Sequence, residues 1–326
     1  MNIKTAWVVP TLNRPKDIER LFNSYLKQTV KPDKVIVIDG SKDEETKMVC
    51  EKFQAQIKNL IYEHTTKLGS VTQRLLAFKY LKDIDYALFL DDDFELNDNA
   101  FEILLGKIRT LPPKTCLELN FKTISYGSEI QKLGSSKFFN FFKKIFFLPH
   151  ESTEKKVLPS GGNTWLNEYE LIVKDELKKV GWLSGCCMFL PVKPLLEKPD
   201  YFFNEDMQRF SGYALGEDVY LSVQLAKEGY KFYRVMNAWG IHHKAPSARP
   251  DLEKLMAAKV FNQKQIFKIL KNKNHIFFFI SLCGNFFLSF ISCLFTKSLS
   301  PLKGVLKGIW FSFHFEKLYS HTRYKN

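Results

Sequence analysis

Residues 86–93 read YALFLDDD, a short apolar run followed at once by three aspartates. Two earlier segments have the same form: Thr5–Val9 leads into Pro10–Arg14, and Val35–Ile38 leads into Asp39–Ser41. Unbroken apolar runs of this length are typical of parallel strands that are buried on both faces of a sheet. The three runs therefore predict three such strands, each ending in polar residues.

Helical segments separate these runs. After Pro15, which suits a first helical turn, the apolar residues recur at the spacing of one helical face. Another helix is predicted from about Ser70 to Lys82, after a short strand at Leu60–Tyr62. Alternation of strands and helices indicates right-handed βαβ units and a parallel sheet. Ligands bind beyond the carboxyl ends of such strands, so the three polar segments are expected to form one site.

Patterning returns near the end of this α/β region. An apolar strand is predicted through Leu190, a helix from Gly216, and strands at Lys231–Val235 and Ala238–His243. Residues 112–180 between these parts show little periodicity. Within them KFFNFFKKIFF (Lys137–Phe147) is an acceptor-side insertion, a membrane-touching segment or an ordinary packed helix with Lys on its outer face.

The C-terminal part is basic and apolar. The chain has 326 residues and a net charge of +13, and from Asp251 onward twelve Lys and Arg face three Asp and Glu. Residues 274–296, between Lys273 and Lys297, contain no Asp, Glu, Lys or Arg and are long enough to cross a bilayer. We expect this part to contact an anionic membrane, as a single span or as an interfacial or hairpin-like insertion. No zinc-ligand spacing or other pattern typical of nucleic-acid binding occurs, so nucleic acid is not an expected partner.

The expected organisation is a catalytic domain at 1–250, divided near residue 111 into halves 1–111 and 112–250, followed by a membrane-associating region at 251–326.

The first residues read as a strand and not as the apolar core of a signal peptide. The six cysteines show no metal-ligand spacing, and the adjacent Cys186 and Cys187, which are flanked by apolar residues, are expected to be buried thiols. The catalytic part is therefore expected on the cytoplasmic side of the cell membrane.

Several blocks of the sequence, in this order and spacing, resemble glycosyltransferase family 2. That resemblance implies a GT-A fold, with a Rossmann-like and mostly parallel sheet flanked by helices. It also implies inverting transfer of a sugar from a nucleoside-diphosphate sugar to a hydroxyl of a glycan or lipid-linked acceptor, as in polysaccharide biosynthesis. The blocks are VVPTLNRP (8–15), VIVIDGSKD (35–43), KLGSVTQR (67–74), FLDDDFEL (89–96), GWLSGCCMFLP (181–191), GEDVYLSVQLAKEGYKF (216–232) and the following His242-His243.

The aspartate run suits a divalent cation, Mn²⁺ or Mg²⁺, because carboxylate oxygens bind hard cations and a cation offsets the charge of a departing diphosphate. Three adjacent carboxylates without a cation would repel each other. The resemblance implies that Asp93 reaches the metal, that Asp91 lies near the ribose or sugar, and that His242 completes the metal shell. On a strand His242 and His243 would point to opposite faces, so only one is expected at the metal.

Transfer to a hydroxyl also needs a base that takes the hydroxyl proton. The resemblance implies an acid in the Glu217-Asp218 pair, and we expect Asp218, with Glu217 as second choice. Acids at this position also suit a helix N-terminus without any catalytic role.

The remaining implied residues surround the donor. Asp39 matches an aspartate that binds the imide of uracil or thymine, although Ile38 stands where the common pattern has another acid. Arg74 is expected to meet the base or phosphates, and Trp182 and Gly185 to form the wall beside the donor sugar and acceptor, although Trp182 suits a core equally well. The residues implied to face the nucleotide sugar are Pro10, Thr11, Arg14, Asp39, Lys67, Gly69, Arg74, Asp91 and Asp92.

Three other functions fit parts of the sequence. A catalytically inactive relative could act as a membrane-bound scaffold or binding protein, but it would be expected to have lost part of the acidic set. A nucleotidylyltransferase would need a Gly-rich phosphate loop after the first strand, and VVPTLNRP is not one. A basic nucleic-acid-binding protein would not be expected to place an acidic cluster at its strand ends.

Overall fold

The computed structural model describes residues 3–124, 137–166, 176–210, 212, 214–244 and 251–319. The strands are β1 (Thr5–Thr11), β2 (Lys34–Asp39), β3 (Leu60–His64), β4 (Tyr86–Leu90), β5 (Phe94–Leu96), β6 (Thr115–Thr123), β7 (His150–Ser152), β8 (Thr164–Leu166), β9 (Leu177–Val180), β10 (Cys187–Pro191) and β11 (Lys231–His242). The helices are α1 (Pro15–Lys27), α2 (Glu45–Phe53), α3 (Ser70–Ala77), α4 (Ala100–Thr110), α5 (Lys137–Ile145), α6 (Val192–Glu197), α7 (Pro199–Phe202), α8 (Glu217–Lys227), α9 (Leu252–Ile269), α10 (His275–Thr296) and α11 (Ser300–Tyr319). Short 3₁₀ turns lie at Phe78–Tyr80 and Glu205–Gln208.

One large mixed sheet organises the fold. Its strand order is β3-β2-β1-β4-β10-β6-β11-β5, with β9 paired to β11. The first four strands are parallel, β10 runs antiparallel to both of its neighbours, and β11 is parallel to β6. The predicted α/β class with helices flanking a largely parallel sheet is confirmed.

Both faces of the sheet are covered, which explains the unbroken apolar runs. All seven residues of β1 are buried. Trp7 and Val9 pack on one face with α1 and α4, whereas Ala6 and Val8 pack on the other face with α3 and α8. Strand β1 therefore lies at the centre of the molecule, and its carboxyl end is held rigidly.

Two strands differ from the sequence-based expectation. Strand β6 lies within the stretch that showed no clear pattern, and it buries the polar residues Glu118 and Asn120. The two strands expected near the end of the α/β region are one strand, β11, with a register shift between Val235 and Trp239. This irregularity lets one strand pair with β9 at its start and with β5 at its end.

The C-terminal helices pack on the α/β body. Asn262 of α9 donates from Nδ2 to the carbonyl oxygens of Met207 (2.7 Å) and Leu215 (2.9 Å), and Ile266 belongs to one face of the main core. Helix α11 lies closely against α9, since a side chain at Gly304 or Gly308 would meet the α9 backbone. Helix α9 therefore packs directly against the α/β body. The domain boundary near residue 250 stays a prediction. Residues 320–326 of the predicted C-terminal region lie outside the described residues.

Candidate active site

A cleft of about 660 Å³ opens at the carboxyl ends of β1 and β4. Pairing of Thr11 with Asp39 places the end of β1 beside the end of β2, and Asp91 follows β4 on the other side. The carboxyl ends of the first strands thus converge as expected for an α/β sheet. The residues lining the cleft are Pro10, Thr11, Leu12, Arg14, Leu68, Gly69, Ser70, Gln73, Asp91, Asp92, Glu205, Asp206, Gln208, Arg209 and Gly212.

Two aspartates and a histidine form a candidate metal centre beside this cleft. One ligand atom each from Asp91, Asp93 and His242 lies within 4.8 Å of the others. His242 Nε2 is 3.1 Å from Asp93 Oδ1 and 3.9 Å from Asp91 Oδ2. Pairing of His242 with Phe94 across β11 and β5 produces this approach. His243 instead contacts the Glu95 carboxylate at 2.9 Å, so the two histidines point to different partners.

Two arginines already offset part of the charge of the aspartate run. Arg14 Nη1 lies 2.8 Å from Asp92 Oδ1 and 3.5 Å from Asp93 Oδ2, and Arg74 Nη2 lies 3.1 Å from Asp91 Oδ1. The guanidinium groups therefore relieve part of the repulsion between the carboxylates that the sequence predicts, and the cation stays a prediction.

Asp92 joins the acidic run to the first loop. Thr11 Oγ1 donates to Asp92 Oδ2 at 2.7 Å, in addition to the Arg14 contact. Burial raises the pKa of Asp92 to about 7; Arg14 opposes this shift and Asp93 adds to it. These contacts fix the Pro10–Arg14 loop against the end of β4.

The second acidic site lies at the start of α8, and its two acids have different partners. Asp218 Oδ2 accepts the Gly185 N–H at 2.9 Å, and Oδ1 accepts the Val219 N–H at 2.8 Å. Glu217 forms an ion pair with Arg74 and accepts from Ser70 Oγ at 3.2 Å. Burial raises the pKa of Asp218, and it raises the pKa of Glu217 to about 7 although Arg74 opposes the shift.

Arg74 connects the two acidic sites. Its side chain is almost fully buried, and it contacts Asp91, Glu217 and the Gly185 carbonyl oxygen, the last at 3.1 Å. Arg74 thus contacts protein groups in this structure, and its expected contact with the base or phosphates stays a prediction. Arg74 holds Asp91 and Glu217 toward each other, so the two acidic sites belong to one arrangement.

Gly185 lies directly against the second acidic site. A side chain there would place its Cβ 3.3 Å from Asp218 Cβ and 3.4 Å from Asp218 Oδ2. Only glycine therefore leaves Asp218 in its observed position without displacement.

Asp39, Lys67 and Trp182, which were implied to surround the donor, are not among the residues that line the cleft, and their roles stay predictions. Asp39 is fully buried, and its carboxylate accepts from the Ser41 N–H (2.8 Å) and the Tyr62 hydroxyl (2.9 Å), which shapes the loop after β2. Trp182 lies in the core, where its Nε1 donates to the Thr164 carbonyl oxygen and the Lys155 ammonium covers its ring. This placement agrees with the core alternative for Trp182, and its role as a wall of the sugar site stays a prediction. Lys67 is exposed beside the cleft residue Leu68.

Two glutamines that the sequence reasoning did not select shape the cleft. Gln73 is buried, and its Nε2 donates to the carbonyl oxygens of Thr11 and Ile38 at 2.8 Å each, which ties the ends of β1 and β2 together. Gln208 Oε1 accepts the Val71 N–H at 3.1 Å and brings the Glu205–Gln208 turn against α3. One indication in the sequence pointed to a role for Gln73, which directly precedes Arg74 in the block KLGSVTQR (67–74).

The mixed sheet flanked by helices is a fold of the GT-A type. Residues 6–154 match the family model described as Glycosyl transferase family 2. This match confirms the resemblance to glycosyltransferase family 2 that was drawn from the sequence. The matched segment contains Asp91–Asp93 but ends before Glu217, Asp218 and His242. No curated protein sequence matches the chain at a significant level.

Solved structures with a similar fold include Staphylococcus aureus TarS. The chain is 18% identical to S. aureus TarS 1-349 in complex with UDP-GlcNAc, with a TM-score of 0.52 over 99% of this chain and 93% of the other. It is 19% identical to a second S. aureus TarS structure, with a TM-score of 0.50 over 97% of this chain and 55% of the other. At these identities the likeness concerns the fold alone.

Proposed function

We propose that this glycosyltransferase moves a sugar from a nucleoside-diphosphate sugar to a hydroxyl of a glycan or lipid-linked acceptor, with inversion at the anomeric carbon. The observation that carries the proposal is the arrangement around Arg74, which holds Asp91 beside the cleft and Glu217 next to Asp218. One acidic site can thereby serve the donor while the other serves the acceptor. The family match, and the UDP-GlcNAc bound in S. aureus TarS, make UDP-sugars the first donors to test.

The residues at the first acidic site fit a divalent cation. Asp91, Asp93 and His242 offer two carboxylates and one imidazole within 4.8 Å of each other. Manganese accepts this mixed oxygen and nitrogen set, and magnesium prefers oxygen ligands. When bound, the cation would act as a Lewis acid that neutralises charge on the diphosphate leaving group. Asp93 and His242 are the ligands on which the proposal most depends.

Asp218 is proposed as the base. Its carboxylate is held by two backbone N–H groups, so its position is fixed by the ends of two rigid elements, and each oxygen keeps a lone pair. As the acceptor oxygen bonds to the anomeric carbon, the hydroxyl proton passes to the carboxylate, and the electron pair of the breaking bond leaves with the diphosphate. No covalent intermediate is needed, which gives inversion.

The wider setting is a membrane. We place the donor half at 1–111, the acceptor half at 112–250 and the membrane-associating region at 251–326, with the catalytic part on the cytoplasmic side. Among the described residues, α10 is the one helix long and apolar enough to cross a membrane. An acceptor made at that surface, such as a precursor of a cell-surface polysaccharide, accords with this placement.

Calorimetric titration with UDP-, dTDP- and GDP-sugars, with and without Mn²⁺, tests the proposal. We expect one class of donor to bind in the presence of Mn²⁺ and to bind at least about tenfold more weakly after chelation, a loss of about 1.4 kcal/mol. No metal-dependent binding of any of these donors would contradict the proposal. Metal-dependent donor binding without sugar transfer would instead indicate a catalytically inactive scaffold or binding protein, so a transfer assay with the bound donor separates the two functions.

A further inference from the structure

Helix α10 carries its polar residues toward the protein. Its buried face includes Ser281, Gly284, Asn285 and Ser289. Gln263 of α9 donates from Nε2 to Ser281 Oγ at 2.8 Å, and Asn285 Nδ2 donates to Gln263 Oε1 at 3.3 Å. The helix is thus attached to α9 by buried hydrogen bonds, while a helix on the surface of a water-soluble protein would turn such residues outward.

The outward face of α10 is apolar along its whole length. Ile276, Phe279, Phe286, Phe290 and Leu294 are all exposed, from 44% at Phe286 to 69% at Ile276. Their spacing of three to seven residues places them on one helical stripe. A stripe of large exposed side chains on this scale marks a surface that contacts another apolar phase.

Helix α5 extends this surface. The rings of Phe142 and Phe146 lie 5.9 Å and 5.8 Å from the ring of Phe287, so α5 packs alongside α10. Phe141 and Ile145 of α5 are exposed. The basic-aromatic stretch KFFNFFKKIFF therefore packs with one face on α10 and turns other apolar residues outward.

Helix α11 adds a mixed basic and aromatic face. Leu306, Trp310 and Phe313 are exposed at helical spacing, and exposed Lys303 and Lys307 lie three or four residues from them on the same side. Tryptophan beside lysine is typical of residues at the boundary between lipid headgroups and acyl chains. Lysines that share a face with apolar residues favour a surface with negative charge.

We propose that these three helices dock on one leaflet of an anionic lipid bilayer, with α10 lying along the membrane surface and not crossing it. We call the exposed apolar stripes of α5, α10 and α11 the docking face. A spanning α10 would have to leave its hydrogen bonds with α9 or carry Asn262, Gln263 and Gln265 of α9 into hydrocarbon, where such groups are costly. Lysines at both ends of α10, at 271, 273 and 297, fit headgroup contact at both ends.

This inference deepens the membrane association proposed above, but it needs neither donor nor acceptor. Flotation with vesicles of phosphatidylcholine alone, or with phosphatidylglycerol added, tests the docking face directly. We expect the full chain to float with the anionic vesicles and at least about tenfold less with neutral ones, since lysines near such a surface are attracted to its negative charge. Phe279→Ser with Phe290→Ser should reduce flotation strongly, whereas Met48→Ser, an exposed apolar residue on α2, should not. Equal flotation of all three proteins would overturn the proposal.

The orientation of α10 is tested with cysteines at its two ends. In a Cys283→Ser background, Lys273→Cys and Leu299→Cys are labelled with a membrane-impermeant maleimide after the protein has bound preformed vesicles. Docking along the surface predicts that both positions react from the outside, as they do without vesicles. Protection of one end only would show a span and contradict the proposal. A stable dimer that buries the docking face and does not float, detected by light scattering, would assign the face to a second copy instead.

Discussion

Asp218→Asn should lower the rate of sugar transfer by about 10²–10⁴-fold, the usual contribution of a general base. Asparagine has nearly the same shape and can still accept the Gly185 N–H, which lies 2.9 Å from the carboxylate. The variant loses the ability to take up the proton of the acceptor hydroxyl, and its amide nitrogen cannot accept the Val219 N–H that Asp218 Oδ1 accepts. Donor binding should therefore stay within about threefold of the wild-type value, since a general base acts mainly on the chemical step.

Two matched variants sharpen this test. Asp200→Asn makes the same change at an exposed position on α7 and should leave transfer unchanged. Glu217→Gln removes the partner of Arg74 and should disturb Asp91 as well, so it is expected to weaken donor binding together with transfer. If Asp218→Asn kept full turnover while Glu217→Gln lost it without a change in donor affinity, Glu217 would be the base.

Glu118→Gln should destabilise the fold by about 3–5 kcal/mol, as expected when a buried ion-pair network loses one partner. Glu118 is completely buried in the central strand β6, and its carboxylate contacts Lys155 Nζ (2.7 Å), Arg234 Nε (2.7 Å) and the Ser184 N–H. Glutamine would leave two buried cations next to each other without a negative charge. Equilibrium unfolding in urea measures the loss, and a change below about 1 kcal/mol would contradict this account.

The dependence of fold stability on pH in the acid range also reports on the ion pairs of Glu118. Burial disfavours the charged form of Glu118, but Arg234 and Lys155 outweigh burial and lower its pKa to about 2. A glutamate in an unfolded chain has a pKa of about 4.3, so the ionised group stabilises the fold above that pH and this stabilisation is lost as pH falls toward 2. Glu118→Gln should lack this part of the pH dependence. Glu44→Gln, which breaks an exposed pair with Lys47, should leave the stability nearly unchanged because solvent screens such pairs.

The network also supports the site. The Ser184 hydroxyl oxygen accepts a hydrogen bond from Lys155 Nζ at 2.6 Å, and the Ser184 backbone N–H donates to the Glu118 carboxylate. The next residue, Gly185, donates to Asp218 and accepts from Arg74. The buried ion pairs of Glu118 thus hold the Ser184–Gly185 segment, and Gly185 contacts Asp218 and Arg74 at the two acidic sites.

The first half of the fold was predictable because its strands are buried on both faces. Such strands have unbroken apolar sequences, and their polar ends stand out at Pro10, Asp39 and Asp91. Strand β6 was not predictable in this way. Its Glu118 and Asn120 look like residues of an exposed or irregular segment, and the partners that make burial acceptable for Glu118 are 37 and 116 residues away.

The candidate site was predictable in its residue types but only partly in its geometry. The grouping of Asp91, Asp93 and His242 follows the sequence expectation, although their roles remain proposals. Arg74 and Asp39 were expected to meet the donor, yet both are buried and engaged by protein groups. Sequence blocks mark where a residue stands along the chain, but they do not show whether its side chain faces the cleft or the protein.

The central claim is that the aspartate run binds a divalent cation together with the diphosphate of a nucleotide sugar. Titration of Mn²⁺ in the presence of UDP, followed by electron paramagnetic resonance, measures that binding for the wild-type protein and for Asp93→Asn. We predict one site in the wild-type protein and at least about tenfold weaker binding in the variant, which keeps the shape of the side chain but loses its charge. Equal Mn²⁺ affinity in the two proteins, or no site in either, would contradict the account.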